Sequence, residues 1–592
     1  MNLNWSLKEL YDSFESDAFK KDVEKVDLFI KDYKDMANSI CMSHENQMEK
    51  LEAYIRKNIE KNKLFEKLLG FIHLTLSVDT KNETALKYSD ILEQKVSLLA
   101  EPDAKLKKWI GEVDGLDQII GSSETLKEHS FYLKEIVEGS KYLLSEKEEA
   151  VISKMQNTGS NAWSKLRDLL TSTLMVDIEI EGKMEKLPLT VVRNMAYDKD
   201  PELRKKAYQA EIESYKKIED SMAACLNGIK GEVITIAEMR GYKSPLDQAL
   251  KNSRMDEDSL NAMLTAIKES LPVFRKYLRR KGELLGHKNG LPFYDLFAPM
   301  GEVNMEFPYE KSAEFVETNF RTFSDRLADF ARKAVDNRWI DVKPKEGKVG
   351  GAFCSNLSSI GESRFLLNHG DTFSDVVTMA HELGHGYHGE CLKEESILNA
   401  DYPMPLAETA STFCETIVKK AAVKTASPEE AFAIVESEVA DSTQVIVDIY
   451  SRFLFESEVF ERRKESAVNS QELKEIMLNA QKEAYGEGLD QEYLHPYMWA
   501  CKPHYYFPTS NFYNFPYSFG LLFAKGLYAE YLKRGESFPE AYDKLLAVTG
   551  KKKIADVTNI MNIDIHDVEF WRGSLRIIEE DIEKFLELSK NR

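Results

Sequence analysis

Thr372-Phe-Ser-Asp-Val-Val-Thr-Met-Ala-His-Glu-Leu-Gly-His-Gly-Tyr-His-Gly-Glu390 is the stretch from which the rest of the chain is read. Thr372 and Asp375 have capping-box spacing, and Val376, Val377, Ala380 and Leu383 form an apolar stripe, so a helix is expected. His381 and His385 are four apart and share one face of it, one turn above each other. At that spacing both imidazoles reach one Zn²⁺ at about 2.0–2.1 Å. Glu382, one residue after the first histidine, is where a general base would face a water on the metal. Gly386 and Gly389 then weaken the helix. A buried helix with two hydrogen-bonded histidines is the bland alternative.

A catalytic zinc usually takes a third protein ligand and keeps one position for water. The metzincin extension needs a glycine three residues and a histidine six residues after His385. His388 and Cys391 stand there and exclude it. Glu390 lies roughly 140° round the helix, on the wrong face. Glu394 and Glu395 would require the chain to double back at once. Glu408 follows a loop and Pro405 in Leu406-Ala-Glu-Thr-Ala-Ser-Thr-Phe-Cys-Glu415, where a fresh helix is expected to cross the first. Its neighbours Leu406, Ala407, Ala410 and Phe413 read as buried, and an unpaired carboxylate among them would be costly unless coordinated. Glu415, two turns on, is placed to hydrogen-bond a ligand histidine and fix its tautomer. His388 shares the histidine face one turn too far along, which suggests a structural or supporting role.

The 592 residues leave room for two or more units with large cores. With 43% hydrophobic and 30% charged residues the chain reads as soluble and globular. A net charge of −21 repels a phosphate backbone, so nucleic acid is not expected as a partner. Six scattered cysteines without a Cys-x-x-Cys fit reduced thiols in a cytoplasm. The first ten residues lack a basic and an apolar leader region, and no apolar run is long enough to span a membrane.

Helical periodicity dominates, and the fold class expected is mainly α. Residues 1–173 read as long antiparallel helices and 174–190 as a β-hairpin turning at Glu181-Gly182. A domain boundary is placed at 190, giving a helical domain over 1–190 and a second domain over 191–592. One helix is expected over 310–336 and a last docked helix over 556–590. Residues 347–371, with Gly350-Gly-Ala-Phe-Cys354, suggest a small β-sheet beside the metal helix. An exposed strand edge there is a place for an extended peptide to pair, so Gly350, Gly351 and Ala352 are substrate-binding candidates; a plain structural ribbon is the alternative. Residues 493–531 are rich in aromatics.

Taken together, His381-Glu-Leu-Gly-His385 with His388, Ala407-Glu-Thr-Ala-Ser-Thr412, Gly350-Gly-Ala-Phe-Cys354, Pro503-His-Tyr-Tyr506 and Phe512-Tyr-Asn-Phe-Pro-Tyr-Ser-Phe-Gly520 resemble the thimet-oligopeptidase-like zinc metallopeptidases, a gluzincin family, and within it the oligoendopeptidase F group. The resemblance covers about residues 190–590 by motif and the N-terminal part by length and helicity. It implies a two-lobed helical protein with a deep substrate channel, one Zn²⁺ per chain held by His381, His385 and Glu408, and Glu382 as base. It also implies short peptides as substrates. His504 matches the family histidine that hydrogen-bonds substrate and oxyanion, and Tyr513 and Tyr517 are its tyrosine candidates.

The function expected is therefore hydrolysis of internal bonds of oligopeptides. Two rivals stand beside it: a helical zinc carboxypeptidase or aminopeptidase, and a peptide-binding protein with no catalysis. Neither oligomeric state nor cleavage preference is written in the sequence.

Overall fold

A computed structural model describes residues 3–301, 305–590 and 592. The chain is predominantly helical, with five strands among the described residues: β1 (Met175–Ile180), β2 (Lys183–Pro188), β3 (Ile340–Asp341), β4 (Phe353–Leu357) and β5 (Glu362–Leu366). It forms two compact units, each drawn from three stretches. The first comprises Met1–Leu143, Asn304–Ala421 and Tyr531–Ile563, the second Leu144–Val303, Ala422–Glu530 and Asp564–Arg592. Residue 190 falls inside the second.

In the first unit, helices Asp17–Ile40 and Gln47–Val78 bury Phe19, Val26, Tyr33, Leu51, Ile55, Leu68 and Ile72 in one core. Leu357 of β4 and Leu366 of β5 join it. A sheet this small is not stable alone. Burial of the two leucines, roughly 1.5–3 kcal/mol each, ties it to the helices. The strand order is β3-β5-β4, with β3 parallel and β4 antiparallel to β5. The Phe365 and Leu367 N–H groups donate to Trp339 and Asp341 carbonyls on the β3 side, both at 2.9 Å. Antiparallel alternation then turns the peptide of Cys354, opposite Phe365, away from β5, to the outer edge of β4.

The motif lies on a helix over Phe373–Cys391 with its capping box formed: Asp375 N–H donates to Thr372 Oγ1 at 3.3 Å, and Thr372 N–H to Asp375 Oδ2 at 2.9 Å. The strands β4 and β5 pack against it. A second long helix, Thr409–Thr425, crosses it. Phe413 anchors that helix in an aromatic cluster, 4.9 Å from Phe323 and 4.8 Å from Tyr542 between ring centroids.

In the second unit, the hairpin β1–β2 turns at Glu181 (φ +50°) and Gly182 (φ +77°), the paired left-handed conformation of a type I′ turn. Helices Glu219–Arg240, Ile449–Glu465, Phe515–Arg534 and Val568–Leu588 build its core. Trp571 packs on Phe519 there, 5.1 Å between centroids.

Two expected helices are divided. Residues 310–336 form Tyr309–Arg321 and Asp325–Asp336, because Ser324 caps a new helix by accepting from Leu327 N–H. The tail forms a short Ile554–Asn559 helix and then Val568–Leu588; Asn562 adopts φ +57° between them and Asp567 caps the second. None of the six cysteines forms a disulfide. No helix of the described residues is long and apolar enough to cross a membrane.

Candidate metal centre

His381 and His385 face each other through Nε2 at 3.1 Å. Glu408 Oε2 stands 3.4 Å from His381 Nε2 and 3.7 Å from His385 Nε2. Tetrahedral ligands about 2.0–2.1 Å from an ion are separated by roughly 3.3 Å. These three atoms have that spacing, and they are the one such cluster among the described residues.

The remaining ring nitrogens are engaged. His381 Nδ1 lies 2.6 Å from Glu415 Oε1, and the Ala407 carbonyl accepts a hydrogen bond from His385. Both acceptors hold an N–H on the far side of each ring, so two neutral rings would point lone pairs at each other. A shared proton or a cation has to fill the gap. The carboxylate beside it and the spacing of the set suit a divalent cation. Burial pushes His385 down to about 4, whereas at His381 the Glu415 hydrogen bond and charge outweigh burial and raise the pKa. Glu415 is in turn held by Lys419, with 3.0 Å between Nζ and Oε2. Glu415→Ala should weaken zinc binding about 10–100-fold in a chelator competition, through loss of the ring's orienting acceptor; native affinity would refute that role.

Glu408 does not ride on a helix that starts at Leu406. A single turn, Met404–Ala407, ends at Glu408, and the crossing helix begins at Thr409. Glu408 sits at the joint: its carbonyl accepts from Thr412 N–H at 3.1 Å, and Ser411 Oγ donates to its Oε2 at 2.9 Å. Gly384 makes the approach possible, since a Cβ there would come within 2.6 Å of both Ala410 O and Ser411 Cα.

Glu382 is 6% exposed, and its carboxylate accepts the backbone N–H of Cys354 from the outer edge of β4. Burial pushes its pKa up to about 7; Glu408 and Glu415 push the same way and His381 opposes them. A carboxyl poised near neutrality suits proton transfer in both directions. Asn356, next but one along β4, donates to the His385 carbonyl at 3.1 Å. Cys354, Asn356 and the Ala407 carbonyl thus brace the centre, and sequence reasoning missed all three. The Gly-Gly-Ala-Phe-Cys motif was the one pointer to the first.

His388 is fully buried; its Nε2 lies 2.8 Å from Thr549 Oγ1, and its ring stacks on Tyr402 at 4.0 Å. Burial pushes it down to about 3. Gly350, Gly351 and Ala352 lead into β4; Gly351 has φ +80° and its carbonyl accepts from Asn368 Nδ2 at 2.7 Å.

In the second unit His504, Tyr513 and Tyr517 form a cluster of their own. The His504 centroid is 5.5 Å from Tyr513 and 6.2 Å from Tyr517, and the two tyrosines are 5.8 Å apart, edge to face. Burial, with Arg452, Lys502 and Arg167 nearby, lowers the His504 pKa, so the ring is neutral near pH 7. Its Nδ1 is buried with no partner among the described residues. Tyr505 and Tyr506 are core.

Known proteins share this architecture. Residues 194–577 match the model of peptidase family M3, and residues 98–175 that of Oligopeptidase F. Oligopeptidase PepF of Bacillus subtilis is 24% identical over 99% of this chain and 87% of its own. A solved structure from Chlamydophila abortus superposes with a TM-score of 0.85 at 22% identity, covering 99% of this chain and 98% of that one. Oligoendopeptidase-F from Enterococcus faecium gives 0.70 at 18% identity, over 97% of this chain and 99% of that one. The family model spans well over half of the 592 residues and includes the histidine pair and Glu408, so the chain belongs to peptidase family M3 and is a metallo-endopeptidase.

Proposed function

We propose that the protein is a zinc-dependent endopeptidase that hydrolyses internal bonds of short oligopeptides in the cytoplasm, with one Zn²⁺ per chain on His381, His385 and Glu408. The convergence of two ring nitrogens and a carboxylate at ligand spacing carries the reading. When bound, zinc supplies Lewis acidity that activates water and polarises the scissile carbonyl.

The chain's own groups do the rest. Glu382, held by the Cys354 N–H, takes a proton from the attacking water and returns it to the leaving amine. By resemblance, His504 and Tyr513 or Tyr517 donate hydrogen bonds to the developing oxyanion; one such donor is worth about 10²–10³ in rate. The outer edge of β4, entered through Gly350, Gly351 and Ala352, suits main-chain pairing with an extended peptide. The oligopeptide preference follows the names of the relatives. The division into a domain over 1–190 and one over 191–592 is part of this proposal; the separate family matches over 98–175 and 194–577 are compatible with it.

The test is an internally quenched peptide blocked at both ends. Cleavage that chelator abolishes and zinc restores is expected. An intact blocked peptide, with its free-ended counterpart trimmed, would replace this reading with an exopeptidase. Chelation should also lower the thermal midpoint, since zinc at about a thousand times its Kd adds roughly 4 kcal/mol of stability.

A further inference from the structure

The turn that carries Tyr513 is strained. Phe512 adopts φ +54°, a left-handed conformation that a bulky side chain disfavours. Such a conformation persists where its surroundings over-determine it. Here they include a buried ion pair. Lys230 and Glu456, each 1% exposed, meet at 2.7 Å. Lys230 Nζ also donates to Asn511 Oδ1 at 2.9 Å, and Asn514 Nδ2 donates to the other Glu456 oxygen at 3.0 Å. Asn511 and Asn514 flank Phe512 and Tyr513, so the turn is pinned at both ends to one pair. The Phe512 ring is stacked on Phe460 at 5.4 Å, and Lys230 Nζ lies 4.6 Å from the same Phe460 ring.

The hold extends to Tyr517. Its N–H donates to the Asn514 carbonyl at 3.0 Å. Next to it, Ser518 Oγ donates at 2.7 Å to the Val445 carbonyl, within the π-helical stretch Gln444–Asp448. A buried ion pair is poor evidence for stability, because apolar residues of similar volume often serve the fold as well. What apolar residues cannot supply is the directed bonds to two asparagines.

We propose that the Lys230–Glu456 pair is a positioning device that fixes the 508–514 turn through Asn511 and Asn514, and so aims Tyr513 and Tyr517. Its consequence for the reaction rests on the reading of those tyrosines given above.

The test uses the zinc-loaded full chain. Lys230→Met with Glu456→Leu removes both charges together and avoids a lone buried ion; Asn511→Ala and Asn514→Ala are milder variants should the pair fail to fold. Hydrogen exchange over residues 505–520 is expected to quicken by about tenfold or more while the rest stays native. Turnover should fall by at least about tenfold with KM within about threefold, since misplacement of a group by an ångström can cost a hundredfold. In a Tyr513→Phe/Tyr517→Phe background the further loss should be under about twofold. Native exchange in every variant that folds overturns the device, as does an equal loss of turnover with and without the two hydroxyls. If Tyr513→Phe/Tyr517→Phe alone keeps full turnover, the oxyanion reading fails, and exchange still decides the device.

Discussion

Glu382→Gln should bind zinc as the parent does and lose about 10²–10⁴ in kcat. Glutamine keeps the shape of the side chain, and its carbonyl oxygen still accepts the Cys354 N–H. It cannot carry a proton from water to the leaving amine. The parent's kcat/KM should fall on the acid side as Glu382 is protonated, and that limb should vanish from the residual activity of the variant. Stability provides an independent readout in the chelated protein. The folded-state pKa of Glu382 is raised from 4.5 to about 7, so the buried carboxyl favours folding below 4.5, and that contribution is lost as pH rises toward 7. The loss, on the order of 3 kcal/mol, should be absent from chemical denaturation of Glu382→Gln between pH 4.5 and 7. Elemental analysis checks the metal and the quenched peptide checks turnover. A zinc-loaded variant with the parent's rate would remove Glu382 from the chemistry.

Much of this centre is written in residue types. The helix over Phe373–Cys391 follows from its capping box and stripe, and the histidine pair follows from four-residue spacing. Glu408 is legible through its apolar neighbours and Pro405, but its seat at a helix joint is not, because no glycine or proline marks the break between Ala407 and Thr409. The Cys354 N–H and the Ala407 carbonyl are backbone groups, which every residue type carries, so no letter marks them. β3 is two residues long, too short for a periodic signal. The discontinuous units depend on contacts far apart in the chain, which local periodicity does not encode. Nothing in the sequence marks Lys230 and Glu456, since such residues are almost never fully buried; only the fold shows them buried and bonded to one turn.

Gly384→Ala should cost the protein its metal, although helix propensity argues the reverse. Alanine in place of glycine inside a helix is ordinarily worth roughly 1 kcal/mol in its favour. At this position the added Cβ would sit 2.6 Å from Ala410 O and Ser411 Cα and 2.9 Å from Ala410 C. These are backbone atoms that no rotamer change can clear, so the crossing helix must retreat. Overpacking of this kind costs about 1–3 kcal/mol. Glu408 is two residues before Ala410 and moves with it, while metal ligands tolerate roughly ±0.2 Å. Zinc affinity is therefore expected to fall by about a hundredfold or more, with kcat/KM falling at least as far and the helical circular dichroism retained. Gly139→Ala, in the helix Ser130–Ser140, is the internal comparison. Nothing lies within 4 Å of a Cβ added there, so zinc affinity should stay within about twofold of the parent. Native zinc affinity in Gly384→Ala would mean that close packing of the two helices is not what delivers Glu408 to the histidines.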